Sequence, residues 1–365
     1  MKILTGIDLP PGSPGGSVEL LHDLYGAPDP LVRADVFMLA RENVEPSYAR
    51  SSPALLPVKG KAVSGTEFWA YVDRLGAAVR DRFATTDYDV LHLQHLTFGA
   101  TAALQRVCPD QPRIALVHGT DLLFAADHPT QTDVLRETAA SADAIVVPTR
   151  AMADRLQQLT LDSSDRIVHI PWGVPDQLLN GQLGQPHLHA DRQPGELRVL
   201  YAGRLTAEKA TSHLISAVAG LDGVELSVAA PRAEFAALAA RSDLSKTRYR
   251  GWLSRAELWG EFSQHDLLIV PSLKLEAFGL VTIEAQACGL PVAYQPVPGL
   301  TEVLGDSALP IDFRDLGTLA VRLKELAGSL GQLDDLAAAG LVNSRRFPLS
   351  RTARELVNLS HHVLR

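Results

Sequence analysis

The chain has 365 residues, 46% of them hydrophobic and 21% charged, with a formal net charge of -8. A length of this order suggests about two domains, and the composition is that of a globular protein with large cores. The negative charge argues against nucleic acid or an anionic membrane surface as the main partner. The cysteines are Cys108 and Cys288, without a C-x-x-C or Cys/His cluster. That argues against a disulfide framework or structural zinc and fits a reducing cytoplasm. No apolar run is long enough to span a membrane, although peripheral membrane contact stays open. The N-terminal "MKILTGIDLP" is too short for a signal-peptide core and reads as a first strand.

In chain order, the first half offers strands at "KILTGI" (2–7), "ADVFML" (34–39), "DVLHLQ" (89–94), "RIALVH" (113–118), "AIVVPT" (144–149) and "RIVHIP" (166–171). They are short and rich in Val, Ile and Leu, as buried parallel strands are. Helical patterns such as "EFWAYVDRLGAAVRDRF" and "AMADRLQQL" separate many of them. The second half repeats the alternation with strands at "LRVLYAG" (197–203), "VELSVAA" (224–230), "LLIVPS" (267–272) and "PVAYQP" (291–296). Two such series imply an α/β protein with two doubly wound, Rossmann-like domains. The Gly-, Pro- and Gln-rich stretch 174–196 reads as the crossing between them. A second loose stretch, 42–65, lies inside the first domain and has the length of a lid or binding loop.

The chemistry concentrates at strand ends. In "EAFGLVTIEAQACGLP", Glu276 and Glu284 are separated by seven residues. Gly289 and Pro291 stop a helix that begins near Gly279–Val281. Glu276 then sits in a strand-to-helix loop, where α/β sheets bind ligands, and Glu284 lies about one turn into the helix. The amides of Phe278, Gly279 and Leu280 fall between them, and amides at a helix start form an anion site. Two carboxylates beside phosphate-holding amides suit a nucleotide sugar, with its hydroxyls and its diphosphate. A glutamate near a helix start also simply complements the helix dipole. "YAGRLTAEKA" places Arg204 and Lys209 after the first strand of the second domain, and such cations would hold a diphosphate and stabilise it as a leaving group. Gly15 and Gly16 form a glycine turn before a helix, without a G-x-G-x-x-G or P-loop pattern. "LVHGTD" puts His118 at a strand end with Asp121 close by, and "HLQHLTFG" does the same for His92, Gln94 and His95. No metal-ligand spacing is evident, so no metal site is assigned.

Taken in order, the Gly-Gly turn, the H-G pair, "GRLTAEK" and "EAFGLVTIEAQACGLPV" make the chain resemble the retaining nucleotide-sugar glycosyltransferases of family 4, over essentially its whole length. The resemblance implies the GT-B fold, two Rossmann-like domains facing across a cleft. It implies a metal-independent hexosyltransferase without a cofactor, whose co-substrate is a nucleotide-diphosphate sugar and whose acceptor carries a hydroxyl. The absence of a long basic amphipathic stretch favours a small soluble acceptor over a membrane lipid. The domains would be 1–175, with a terminal helix 349–365 packing back onto it, and 176–348. Gly15 and Gly16 would meet the diphosphate and His118 the donor sugar, while Arg204 and Lys209 would hold the diphosphate. Glu276, with the amides of Phe278, Gly279 and Leu280, would hold sugar and phosphate, and Glu284 would bind ribose. "YRGWLSRAEL" corresponds to the region that holds the base, through Trp252 and Leu253. The acceptor would belong to the first domain, near His92, Gln94, His95 and Asp121 and the stretch with Lys59 and Lys61. The chain departs from the family at Ala210, usually Gly, at Trp172 and Pro175 in "IPWGVPD", and at Lys274–Leu275 before the first glutamate. An acceptor-independent nucleotide-sugar 2-epimerase or hydrolase, and a non-catalytic nucleotide-sugar binder, are the rival readings.

Overall fold

The structure is a computed structural model and describes all residues except 28, 42–52, 161–163, 184–194, 208 and 210–211. It divides into two compact units, Met1–Pro171 with Ser350–Arg365, and Trp172–Leu349.

The first unit is built on strands β1 (Ile3–Gly6), β2 (Asp35–Leu39), β3 (Ala54–Leu56), β4 (Val90–Leu93), β5 (Arg113–Leu116), β6 (Ala144–Val147) and β7 (Ile167–His169). They form one seven-stranded sheet in the order β3-β2-β1-β4-β5-β6-β7. Every pairing is parallel. All residues of β1, β4, β5 and β6 are buried, because helices cover both faces of such a sheet. The strand order reverses between β1 and β4, the place where a doubly wound sheet opens a crevice at its carboxyl edge. The terminal helix Leu349–Val363 contributes to this unit from Ser350 onward. Its Thr352 hydroxyl donates to the Pro171 carbonyl at 2.8 Å.

The second unit holds β8 (Leu197–Ala202), β9 (Val224–Ala229), β10 (Thr247–Gly251), β11 (Leu267–Val270), β12 (Val292–Tyr294) and β13 (Leu309–Pro310). Their order is β10-β9-β8-β11-β12-β13, again all parallel. Val199, Tyr201, Leu226, Val228, Leu267 and Ile269 pack one face against Ile215, Val218, Leu319 and Leu323. The reversal here lies between β8 and β11.

The sequence reading lacks three of these strands: β3, β10 and β13. All three are sheet edges. An edge strand has a neighbour on one side and is partly open to water, so it needs no apolar run; β10, "TRYRG", alternates half-buried and exposed residues. β3 falls inside the stretch expected as a loop, of which residues 42–52 lie outside the described residues. The unit boundary falls after Pro171 rather than after residue 175. Much of the expected linker, 184–194, also lies outside the described residues. On the second-unit side, outgoing Val174 and returning Leu349 run together. The Val174 amide donates to the Phe347 carbonyl and the Leu349 amide to the Val174 carbonyl, both at 3.0 Å. Trp172 is buried at this crossing.

Candidate active site

In the second unit the loops after β8 and β11 leave neighbouring strands at the reversal point, and they bring Lys209 to Glu276. The Lys209 ammonium is ion-paired and hydrogen-bonded to Glu276 Oε2. The Ser272 hydroxyl donates to the same oxygen at 2.9 Å. Arg204 is not part of this group. Its Nε donates to Glu234 Oε1 at 3.1 Å, and Glu234 Oε2 accepts the Leu205 amide at 2.7 Å. Tyr201, whose phenol is pushed up by burial, donates to the Arg204 carbonyl.

Glu276 is followed by a helix N-terminus. Gly279 caps helix Leu280–Ala287 in the left-handed region at φ 77°, which a glycine adopts freely. A Cβ there would also lie 2.5 Å from Leu300 Cδ2. The helix thus starts in the same loop that carries Glu276. The Phe278 ring belongs to the core, buried and edge-on to Phe347 at 5.1 Å, so only its backbone is eligible for a ligand.

Glu284, one turn into the helix, is only 5% exposed. Arg255 reaches its Oε1 with Nε at 2.9 Å and Nη2 at 2.6 Å, and Trp259 Nε1 donates to Oε2 at 3.3 Å. The Arg255 guanidinium also lies 5.3 Å over the Trp259 ring. Both partners belong to helix Arg255–Phe262, which opens with a capping box between Ser254 and Glu257. Just before it, Trp252 is exposed and Leu253 half-buried.

The first unit repeats the arrangement at β1 and β4. Asp8, buried after β1, accepts the Gly99 amide at 3.2 Å and the Tyr71 hydroxyl at 3.4 Å on Oδ2. Lys61 Nζ lies 3.3 Å from that carboxylate and donates to the Asp8 carbonyl at 2.6 Å. Gly15, at φ 147°, precedes helix Gly16–Leu21. The His95 and His118 rings are 4.9 Å apart. Burial pushes His95 down to about 3; burial and the neighbouring His95 hold His118 well below the usual histidine range. Asp121 sits in the first turn of helix Thr120–Asp127 and accepts the Leu96 amide at 3.2 Å. Burial raises its carboxyl to about 6, against the pull of backbone amides.

Residues 15–178 match the model of Glycosyltransferase Family 4, and residues 196–329 that of glycosyl transferases group 1. A D-inositol 3-phosphate glycosyltransferase of Stackebrandtia nassauensis is 32% identical over 304 residues, 74% of this chain and 67% of that relative. The chain is a family 4 glycosyltransferase. Its fold is GT-B. A sucrose-phosphate synthase from Thermosynechococcus elongatus superposes with a TM-score of 0.81 at 19% identity, covering 100% of this chain and 99% of that one. Anabaena HepE, solved in complex with UDP-glucose, gives 0.73 at 18% identity, covering 98% and 99%.

For this glycosyltransferase, the structure brings together Lys209, Glu276 and the helix start at Gly279, and in the other unit His95, His118 and Asp121. It moves Arg204 onto Glu234. It also corrects two acceptor assignments. His92 is fully buried, with Nδ1 2.8 Å from the Tyr25 hydroxyl and Nε2 2.8 Å from the Ser360 hydroxyl. Gln94 is buried and donates to the Thr5 hydroxyl at 2.8 Å. Both side chains point into the unit's core, because alternation along the extended chain sends residues 92 and 94 to the same face. Sequence reasoning passed over Asp8, Tyr71, Ser272, Glu234, Arg255 and Trp259. Only the S-x-x-E box that encloses Arg255 and the adjacency of Tyr201 to "GRLTAEK" offered a local signal. Ala210 lies outside the described residues. Among the described residues no His, Cys, Asp or Glu group is arranged to hold a metal ion, and no helix is long and apolar enough to cross a membrane.

The transferase carries an acid sensitivity in its first unit. The Ser360 hydroxyl donates to the Leu356 carbonyl, so it accepts from His92 Nε2, and Nδ1 accepts from Tyr25. That neutral tautomer has no room for a second proton, and burial lowers His92 to about 4. A depressed folded-state pKa means stability present in full above the unfolded value, near 6.5, and lost as pH falls toward 4, at ~1.4 kcal/mol per pH unit per group. His95 acts in the same direction. Asp121, shifted upward, offsets about one histidine between pH 6 and 4. The thermal midpoint of His92→Gln should therefore fall less steeply than that of the parent from pH 6.5 to 4. Parallel slopes would exclude His92 as a source of acid loss.

Proposed function

We propose that the protein is a retaining hexosyltransferase that takes its sugar from a nucleoside-diphosphate sugar and passes it to a hydroxyl of a small acceptor. The observation that carries the reading is the Lys209–Glu276 pair at the reversal point of the second sheet, beside the amides at Gly279. On this reading Lys209 and the helix amides take the charge of the departing diphosphate. Glu276 exchanges its ammonium partner for donor hydroxyls. Glu284, steadied by Arg255, accepts the ribose hydroxyls, and exposed Trp252 offers a face to the base. No carboxylate is assigned as nucleophile; an oxygen of the leaving phosphate takes the acceptor proton on the face that the diphosphate quits. The acceptor belongs to the first unit, with Lys61 and Asp121 as its polar contacts. The UDP-glucose in the HepE structure makes UDP-sugars the first donors to test. The inositol 3-phosphate substrate in the relatives' name makes phosphorylated cyclitols the first acceptors. We place the reaction in the cytoplasm, without a cofactor.

The test is a screen of UDP-, GDP-, ADP- and TDP-sugars by thermal shift, since a ligand at 100 times Kd stabilises by ~2.7 kcal/mol. Transfer assays on the donor that binds follow, with the product anomer determined. Retained configuration and a rate unchanged by EDTA are the expected results. An inverted product would overturn the retaining assignment, and loss of activity in EDTA the metal-independent one. Full consumption of the donor with no acceptor present would favour an epimerase or hydrolase.

A further inference from the structure

Phe98 is the one residue other than glycine with a positive φ, 71°, among the described residues. A bulky residue in that region is strained and persists only where its surroundings over-determine it, and such sites cluster at ligand-binding positions. The surroundings here are explicit. The Phe98 amide donates to Gln131 Oε1 at 2.8 Å, and Gln131, itself fully buried, donates to the Val63 carbonyl at 2.7 Å. The next amide, on Gly99, is held by Asp8 at 3.2 Å. Backbone on both sides of the strained bond is thus pinned, to Gln131 of helix Pro129–Ser141 on one side and to Asp8 after β1 on the other.

The conformation decides where the ring goes. It stands edge-on to His95 at 5.2 Å and tilted against Phe124 at 5.4 Å. Phe124 in turn stacks on His128 at 3.7 Å and 9°. Phe98, Phe124 and His128 are each half-buried, so the rings back one another and keep some surface in solvent. This wall lies past the carboxyl ends of β4 and β5, where the sheet presents ligand sites. Lys61 and Asp8 hold the Gly99 end of the same turn. A ring wall flanked by a cation and a carboxylate matches one chemistry well: a six-membered polyol ring, with a C–H face to lay on an aromatic surface and hydroxyls around its rim.

We propose that Phe98, backed by Phe124 and His128, is the platform on which the ring of a cyclitol or pyranose acceptor stacks. The strained backbone is what holds the platform in place. The inference rests on the acceptor-side reading of the first unit given above.

Saturation-transfer NMR on the full chain, with UDP present, tests it with three probes: myo-inositol, methyl α-D-glucopyranoside, and acyclic mannitol as control. The parent should saturate the ring C–H protons of at least one cyclic probe and those of mannitol less. Phe98→Asn keeps a residue that tolerates the left-handed region and removes the ring; it should cut the cyclic signal about fivefold while UDP still shifts the melting temperature. Phe98→Leu, which keeps apolar bulk, should lose the signal too, and Phe98→Tyr should retain it. Unchanged saturation in Phe98→Asn or Phe98→Leu, or equal saturation of mannitol, would overturn the platform. If the parent saturates no cyclic probe, the acceptor reading falls together with the platform; a persisting UDP shift then shows that the donor reading stands apart.

Discussion

Arg255→Met should be among the most destabilising single substitutions in the second unit. Arg255 and Glu284 are 12% and 6% exposed at their side chains and make a two-pronged contact. Removing one partner of a buried ion pair leaves an uncompensated charge, which costs ~3–5 kcal/mol. Trp259 alone, at 3.3 Å, cannot replace a guanidinium. The double variant Arg255→Met, Glu284→Gln carries no buried charge and should regain most of the loss, because the penalty lies in the stranded carboxylate rather than in the missing bond. Chemical denaturation of the two variants and the parent measures this directly. A double variant no more stable than Arg255→Met would show that Arg255 acts by packing. The same pair refines the ribose assignment. Glu284→Ala would remove every acceptor for Arg255 as well as for the ribose hydroxyls, so Glu284→Gln, which keeps an amide oxygen for Arg255, is the cleaner substitution for binding. A charged acceptor is worth ~1.5–3 kcal/mol, and nucleoside diphosphate affinity should drop at least several-fold. Unchanged affinity in a folded Glu284→Gln protein would remove Glu284 from the ribose site.

Lys209→Ala should lower turnover by on the order of 10²-fold, the effect of losing one preorganised charge where negative charge develops. The cost to folding should be small. The Lys209 side chain is 38% exposed, and surface ion pairs contribute little to stability. Glu276 keeps the Ser272 hydroxyl as a partner after the substitution. Turnover and thermal midpoint measured on one preparation separate the two effects. Parent-like turnover would take Lys209 out of the active site, and a large fall in midpoint would make it a structural residue. Arg204→Ala is the natural comparison: Arg204 pairs with Glu234 rather than with Glu276 in this structure, so its loss should cost less turnover than that of Lys209.

The buried strands and the glutamate motif were legible in the sequence because their signals are local. A strand covered on both faces must be a short apolar run, so β1, β4, β5, β6, β8 and β11 announce themselves. A helix that starts at a glycine in the left-handed region and stops at Gly289 carries its own punctuation, so Glu276 could be placed in the loop and Glu284 one turn into the helix. Edge strands β3, β10 and β13 send a weaker signal: β10 alternates half-buried and exposed residues, and β3 and β13 are only three and two residues long. Which groups meet was not legible at all. Lys209 and Glu276 are 67 residues apart, and they touch because β8 and β11 are neighbours in a sheet whose order is not the chain order. Arg255 reaches Glu284 because two helices at that sheet pack together, and Asp8 finds Gly99 because β1 lies beside β4. The expected partner of Lys209, Arg204, was instead taken by a glutamate on another helix. His92 and Gln94 were assigned to a binding wall from their position at a strand end, and only packing against Tyr25, Ser360 and Thr5 shows that they face inward. Periodicity and turn chemistry determine an element and its ends. Strand order and packing then decide which side chains from different elements share a site, and no window of sequence contains that information.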